Sequence, residues 1–419
     1  MRLMLLAASS VLALAVPALA AEPAGVVSTY SDLAEAAYGD SLTTARELQS
    51  AVEAFLANPS DAALQTARAA WIAARVPYQQ TEVFRFGNPI VDDWEGKVNA
   101  WPLDEGLIDY VDSSYGGATD ENQLAALNVI ANPMLTIAGQ EVDASQITPA
   151  LLGDTLDQAD GVESNVARGY HAIEFLLWGQ DLNGHAPGAG DRPWTDYAQG
   201  ADCTNGNCDR RADYLRAATQ LLVDDLSFMA AQWAKGGAAR EAVMADPQAG
   251  LVAMLTGMGS LSYGEQAGER MRLGLMLNDP EEEHDCFSDN THNSHFYDGL
   301  GVQNVYLGRY QRTDGSVVGG PSLRDLVADE DAALAQEIEG KLDTTMEALG
   351  AIKAAAEGGM AYDSMLEAGN AEGEALVMAG VDGLIDQTHS FERAIAALGL
   401  ETVAFEGSES LDNPDAVFQ

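Results

Sequence analysis

Apolar residues recur at helical spacing along most of this chain. Stretches rich in Ala and Leu, with a period of about 3.6 residues, predict helices over roughly 29–56, 60–86, 120–131, 162–178, 210–234, 248–277, 330–355 and 372–398. The alternation of apolar and polar residues that is typical of strands is scarce, and the Val-rich pieces are too short to build a sheet. We therefore predict an all-α protein made of packed helical bundles.

Gly, Asp, Asn and Pro are abundant in three long connections between these helices, 86–119, 179–209 and 278–322. Connections of this length are usually functional or bind a partner. The sequence Lys235-Gly236-Gly237 separates two long predicted helices. We therefore predict two domains, an N-terminal bundle of residues 21–235 and a C-terminal bundle of residues 236–419. The two halves do not align residue by residue, so an internal duplication is a hypothesis only.

The first 20 residues have the organisation of a secretory signal peptide. Arg2 gives a positive start, an apolar stretch follows, and the Ala-Leu-Ala of residues 18–20 fits a cleavage site. The apolar stretch ends before it reaches the roughly 20 residues that a membrane span needs, and no later segment is long and apolar enough. We expect an exported protein, periplasmic or associated with the outer membrane, without a transmembrane span.

Export also bears on the three cysteines. Cys203 and Cys208 flank a short polar loop, Thr204 to Asn207, and in an oxidising compartment we expect them to form a disulfide. Cys286 is then left over. It is either a buried thiol or part of the polar segment that surrounds it.

The charge of the chain excludes one class of function. Its 419 residues include 65 Asp and Glu against 21 Lys and Arg, a formal net charge of -44. Binding to nucleic acid requires clustered basic residues that neutralise phosphates, so we exclude nucleic acid as a partner. The apolar fraction of 47% is enough for a sizeable core. The excess of carboxylates fits either a well-solvated surface or a protein that binds cations.

The segment 169–179 is apolar on every side except at His171 and Glu174. A helix that is apolar all round is normally buried, and a separation of three residues puts both side chains on one face. A buried carboxylate is costly unless a cation or a donor compensates it, so a metal ion between imidazole and carboxylate would satisfy both. In the structural alternative, Glu174 forms an ion pair with a buried arginine such as Arg75, and His171 binds a backbone carbonyl.

The sequence around this helix resembles a known family. The runs Gly161–Ser164 and Arg168–Asp181 closely resemble the signature of the imelysin family, whose defining pattern is Gly-x-His-x-x-Glu. Four further stretches resemble the branch called iron-regulated protein A, namely 71–86, Trp101–Asp104, Arg192–Tyr197 and Glu283–His292. The resemblance spans most of the mature chain and is most specific in the eleven residues around His171.

The resemblance implies an exported, two-domain helical-bundle protein of bacterial iron acquisition, with the Gly-x-His-x-x-Glu helix as its metal site. In related periplasmic iron-transport components, a glutamate from another helix and an aspartate from a loop complete the ligand set. Glu82 and Asp104 are the corresponding residues here, beside His171 and Glu174. One imidazole and three carboxylates suit iron, with zinc, manganese or calcium also possible.

A second polar segment extends from Glu281 to Asp298 and holds three of the six histidines. It is either a flexible acidic loop with incidental histidines or a second site for a metal or cofactor. In the second case, His284 and His292 are the candidate ligands. For the protein as a whole, we expect the bound species to be a metal ion or an iron chelate such as haem or a siderophore, and the partners to be outer-membrane or periplasmic uptake components.

Imelysin-type proteins have also been classed with metallopeptidases, which gives an alternative function. A zinc peptidase needs an open metal position and a separate general base. The chain has no His-Glu-x-x-His motif. His171 and Glu174 provide two ligands, and only Glu163 or Glu82 is available as the base. We therefore expect a metal-binding protein rather than an enzyme.

Overall fold

The computed structural model describes residues 21–400 and 403–418, so the predicted signal peptide lies outside the described residues. The helices are α1 (Pro23–Ala57), α2 (Asp61–Gln79), α3 (Pro89–Asn99), α4 (Glu105–Ile108), α5 (Pro149–Leu151), α6 (Gly169–Trp178), α7 (Cys208–Trp233), α8 (Ala238–Met244), α9 (Pro247–Ser260), α10 (Leu273–Leu277), α11 (Thr291–Leu307), α12 (Leu323–Glu330), α13 (Ala332–Glu357), α14 (Tyr362–Leu366), α15 (Ala371–Ala397) and α16 (Glu409–Asp412). A wider π-helix, Leu261–Arg272, joins α9 to α10 without a break. The prediction of an all-α fold is confirmed.

Two small antiparallel hairpins contain the strands of the described residues. One pairs β1 (Met134–Ile137) with β2 (Gln140–Asp143), and the other pairs β3 (Arg309–Gln311) with β4 (Val317–Gly319). Each sheet has only two strands. These short hairpins are therefore additions to the helical bundles and do not form a layer of the core.

Helix α1 packs against α2, α7 and α9, and α2 also packs against α11. The large hydrophobic core accordingly contains residues from both sides of position 235, from Val26 to Ile395. A smaller core lies entirely in the C-terminal half, where α13 and α15 pack against each other and the π-helix packs against α15. The domain boundary at residue 235 stays a prediction.

One predicted helix is wrong. Residues 120–131 form consecutive turns, because asparagine side chains take over hydrogen bonds that a helix would need. The Asn122 carbonyl oxygen accepts from the Leu124 amide, and Asn128 adopts a left-handed backbone with φ of 48°. Conversely, α3 and α11 lie in segments predicted to be loops.

The predicted disulfide between Cys203 and Cys208 is present. It closes the short loop at the start of α7, and the remaining thiol, Cys286, is buried. Among the described residues, no helix combines the length and the apolarity that crossing a membrane requires.

Candidate metal centre

Helix α6 lies in the interior, with all ten of its residues buried. Its first residue, Gly169, has φ of +81°, and a Cβ atom there would lie 2.6 Å from the carbonyl oxygen of Val98 in α3. Only glycine allows this backbone conformation and this close approach. The glycine of the Gly-x-His-x-x-Glu pattern therefore lets α6 begin directly against α3, and this contact fixes the position of His171.

His171 and Glu174 contact each other on the buried face of α6. The Nδ1 atom of His171 lies 2.9 Å from Oε2 of Glu174. The other oxygen of Glu174 accepts hydrogen bonds from the amide and the hydroxyl of Ser288, at 3.0 and 2.6 Å. The Nε2 atom of His171 is buried and has no hydrogen-bond partner among the described residues. In a metal-binding histidine, a carboxylate usually orients one ring nitrogen and the other nitrogen is left for the metal. His171 has this arrangement.

A second imidazole lies beside the first. The rings of His171 and His284 pack edge to face with centroids 4.8 Å apart, and Nε2 of His284 is also buried without a partner. Ligand atoms of His171, His284 and Asp285 all lie within 4.8 Å of one another. Two imidazoles and a carboxylate at this spacing form a set that can hold a metal ion.

Arg75 pairs with Asp285 and not with Glu174. Its Nη2 atom lies 2.6 Å from Oδ1 of Asp285, and both side chains are buried. Its guanidinium also lies 5.1 Å from the ring centroid of Tyr170, beside His171. The ion pair between Glu174 and Arg75 that the structural alternative required is therefore absent, and Glu174 is bound by His171 and Ser288 instead.

Glu82 lies outside α2, in a single turn of 3-10 helix that follows it, Glu82–Phe84. Its Oε2 atom accepts from Arg270 at 2.9 Å, and the same guanidinium contacts Asp298 at 3.1 Å. Arg270 and His284 line the same cleft, so this ion-pair cluster adjoins the imidazoles. The structure thus places Glu82 beside the centre, paired with Arg270, and outside the group formed by His171, His284 and Asp285.

Asp104 is not brought into the group of His171, His284 and Asp285. Its carboxylate is half-buried and accepts hydrogen bonds from the hydroxyls of Tyr115, at 3.0 Å, and Ser164, at 2.6 Å. The residue of the Trp-Pro-Leu-Asp sequence that does reach the centre is Trp101, whose ring centroid lies 5.0 Å from that of His171. The hydroxyl contacts explain why Asp104 is held elsewhere.

His292 is also apart from the centre. It is half-buried on α11, where its Nε2 atom lies 3.1 Å from the side-chain amide of Asn293. Burial, reinforced by the charge of Lys353, lowers the pKa of His292 to about 4. Of the two histidines predicted in the polar segment, only His284 joins His171.

Burial sets the protonation of both central imidazoles. It lowers the pKa of His171 to about 3, with a further contribution from the charge of Arg75, and it lowers the pKa of His284 well below its usual value. Both rings are therefore neutral at physiological pH. The neutral imidazole is the form that binds a metal.

Buried carboxylates outnumber buried guanidinium groups around the imidazoles. The carboxylates are Glu82, Glu174, Asp285 and Asp298, and the guanidinium groups are Arg75 and Arg270. The carboxylates exceed the guanidinium groups in number, and the buried Glu283 next to His284 adds to the excess, so a bound cation would offset part of this negative charge. Without a cation, burial raises the pKa of Glu174 and of Asp298 well above the usual range.

A cleft of about 420 Å³ leads to this cluster from the surface. It is lined by residues from both halves of the chain, including Trp101, Glu163, Arg270 and His284. His284 faces the cleft, whereas His171 lies deeper and is 1% exposed. A solute that enters the cleft would therefore meet His284 before His171.

Sequence reasoning missed Asp285 and Ser288 as residues of the centre. Both lie inside the stretch Glu283–His292 that resembles the iron-regulated branch, which is the one signal that pointed to them. No spacing rule links that stretch to α6. The 3-10 turn Cys286–Ser288, which packs against α6, brings the two segments together.

Three comparisons relate the chain to known proteins. The family model described as Imelysin matches residues 34–391. Iron-regulated protein A of Synechococcus elongatus is 23% identical over 308 residues, which are 74% of this chain and 69% of that protein.

Two solved structures share the fold. A protein of Parabacteroides distasonis, designated an iron-regulated protein A precursor, superposes with a TM-score of 0.64 at 18% identity and covers 90% of this chain and 95% of its own. An imelysin-like protein of Psychrobacter arcticus has a TM-score of 0.56 at 16% identity, over 92% of this chain and 100% of its own. At these identities the two matches show the fold alone.

Proposed function

The chain belongs to the imelysin family, and we propose that it is an exported protein that binds a metal cation, iron in particular, for bacterial iron acquisition. The observation that carries this proposal is the pair of buried imidazoles, His171 and His284, whose Nε2 atoms have no partner among the described residues. A relative named iron-regulated protein A supports iron as the metal.

We assign the metal to Nε2 of His171, to His284 and to Asp285. In this assignment Glu174 orients His171 through Nδ1, and Arg75 holds Asp285 in place. Mixed nitrogen and oxygen donors suit iron, and also zinc and manganese. Glu82 contributes negative charge next to the centre through its pair with Arg270.

The cleft and the burial of the centre fit capture and retention of a cation better than turnover. A cation enters along the cleft past His284, and His171 completes its coordination in a region that excludes water. Neutral imidazoles bind the metal without first losing a proton. The proposal includes uptake components as partners that receive the metal from this protein.

The metal content of the protein tests the proposal. Wild-type protein purified from the exported fraction is expected to contain about one iron per chain by mass spectrometry of the metals. His171→Ala is expected to contain almost none, because it removes the deeper ligand. The matched control is His389→Ala, since His389 lies on the exposed face of α15. Equal metal content in wild type and His171→Ala would contradict the proposal.

A metallopeptidase is the second candidate, because Glu163 lines the same cleft as His284 and is a carboxylate available as a base. We expect the metal-loaded protein to leave a denatured protein substrate intact. Cleavage by wild type that disappears in both His171→Ala and Glu163→Gln would replace the binding function with a peptidase.

A further inference from the structure

Three aspartates from separate segments converge at a second place in the structure. Asp181 follows α6, Asp289 follows the turn Cys286–Ser288, and Asp363 lies on α14. Carboxylate oxygens of all three lie within 4.8 Å of one another. Like charges this close repel strongly when water is excluded, and Asp363 is 0% exposed.

In each aspartate, one carboxylate oxygen accepts a hydrogen bond that anchors the side chain, and the other oxygen is left for a ligand. The anchoring hydrogen bonds come from backbone amides, from Asn183 to Oδ1 of Asp181 at 2.8 Å, from Gly188 to Oδ2 of Asp289 at 2.9 Å, and from Ser364 to Oδ1 of Asp363 at 2.7 Å. Oδ1 of Asp289 and Oδ2 of Asp363 are buried and have no partner among the described residues. Buried oxygens without a donor are rare in proteins and require an explanation.

A fourth buried carboxylate, Glu283, lies in the same segment as Asp289 but outside the group of three aspartates. Glu283 is 1% exposed, and neither of its oxygens makes a hydrogen bond of normal distance and angle, although the side chain of Thr291 lies close to it. Burial and the neighbouring carboxylates raise the pKa of Asp363 to about 7.

None of the four carboxylates forms an ion pair within the described part of the chain. The nearby guanidinium groups are engaged elsewhere, Arg75 with Asp285 and Arg270 with Glu82 and Asp298. Backbone amides therefore fix one oxygen of each aspartate, whereas Oδ1 of Asp289 and Oδ2 of Asp363 have neither a donor nor a cation partner among the described residues.

We propose that Asp181, Asp289 and Asp363 form a second cation site, distinct from the imidazole centre, that takes a hard divalent cation, calcium in particular. All of its protein donors are oxygens, which calcium prefers, and several carboxylates arranged around one point match its need for six to eight oxygen ligands. The group has no imidazole or thiolate donor that would favour iron or zinc.

The position of this site gives the cation a structural role. Asp289 follows His284 and Asp285 in the same segment, so a cation bound to Asp289, Asp181 and Asp363 holds that segment against the loop after α6 and α14. The loop after α6 is already joined to α14, because Nδ1 of His185 lies 2.9 Å from the carbonyl oxygen of Asp363. Calcium thereby connects the segments that build the imidazole centre.

Calcium binding to the full mature chain tests this proposal, by equilibrium dialysis and thermal melting in about 0.15 M KCl, which screens unspecific attraction to the acidic surface. Wild type is expected to bind one calcium ion per chain and to melt at a higher temperature with calcium than with a chelator. Asp363→Asn is expected to lose both effects. Asp382→Asn, which removes an exposed carboxylate on α15, is the matched control and is expected to behave as wild type.

Two further variants keep the outcome decisive. His171→Ala removes a ligand of the imidazole centre and is expected to bind calcium as wild type does. Asp181→Asn repeats the test from the loop after α6 and shows whether a loss in Asp363→Asn is due to misfolding. Full calcium binding in both aspartate variants, or a loss in His171→Ala alone, would overturn the second site.

Discussion

Arg75→Met is expected to lower the free energy of unfolding by about 3–5 kcal/mol, because it leaves the carboxylate of Asp285 buried without its cation. The two side chains are 1% and 0% exposed and lie 2.6 Å apart. Asp285 retains hydrogen bonds from the side chains of Asn290 and Ser294, which orient the carboxylate but do not neutralise it. Urea denaturation of the metal-free protein measures the difference.

Two controls separate this effect from a general loss of packing. The double variant Arg75→Met with Asp285→Asn removes the unpaired charge and is expected to recover much of the lost stability. Arg216→Met breaks an exposed pair with Glu53 and is expected to cost at most about 1 kcal/mol. If Arg75→Met lowers the free energy of unfolding by no more than Arg216→Met does, the buried pair of Arg75 and Asp285 does not stabilise the fold as we expect.

Metal binding is expected to stabilise the folded wild-type protein by about 2.7 kcal/mol when free metal is a hundred times its dissociation constant. Glu174→Gln preserves shape but removes the carboxylate that orients His171. A lost orienting partner weakens metal binding by about 10–100-fold, so the same metal concentration would stabilise this variant by only about 0.4–1.4 kcal/mol. Thermal melting with iron and with a chelator measures both increments.

The chain contains its own matched control for this prediction. His389 and Glu392 have the same spacing as His171 and Glu174, but their side chains are 61% and 60% exposed on α15. Glu392→Gln is therefore expected to keep the full increment. Two results would contradict the assignment of the metal centre. One is an equal loss of the stabilisation by metal in both variants, and the other is a wild-type melting temperature that iron, zinc and manganese all leave unchanged.

The pairs His171–Glu174 and His389–Glu392 show which features of the site the sequence could predict and which it could not. The His-x-x-Glu spacing occurs twice, and only the apolar residues around His171 indicate which pair is buried. Those apolar residues correctly predicted that His171 and Glu174 are buried, and the resemblance to imelysins pointed to the same pair as the metal site. The contribution of Asp285 depends on how the segment after the π-helix folds back onto α6, which no local pattern encodes.

The fold was predictable where apolar periodicity was strong and failed where polar side chains decide the backbone. The helices α1, α7, α13 and α15 match the predicted segments closely. Helix α11 was missed because its polar and glycine-rich sequence resembles a loop, and its helical form depends on packing against α2 and α13. Tertiary contacts thus overrode local composition there.

Iron titration of two variants tests the assignment of the ligands most directly. The imidazole centre includes His284 and excludes Asp104, whereas the ligand set implied by family resemblance includes Asp104 and excludes His284. Calorimetry is expected to show a large loss of iron affinity in His284→Ala and wild-type affinity in Asp104→Asn, whose carboxylate is occupied by Tyr115 and Ser164. Wild-type affinity in His284→Ala together with a loss in Asp104→Asn would contradict the account.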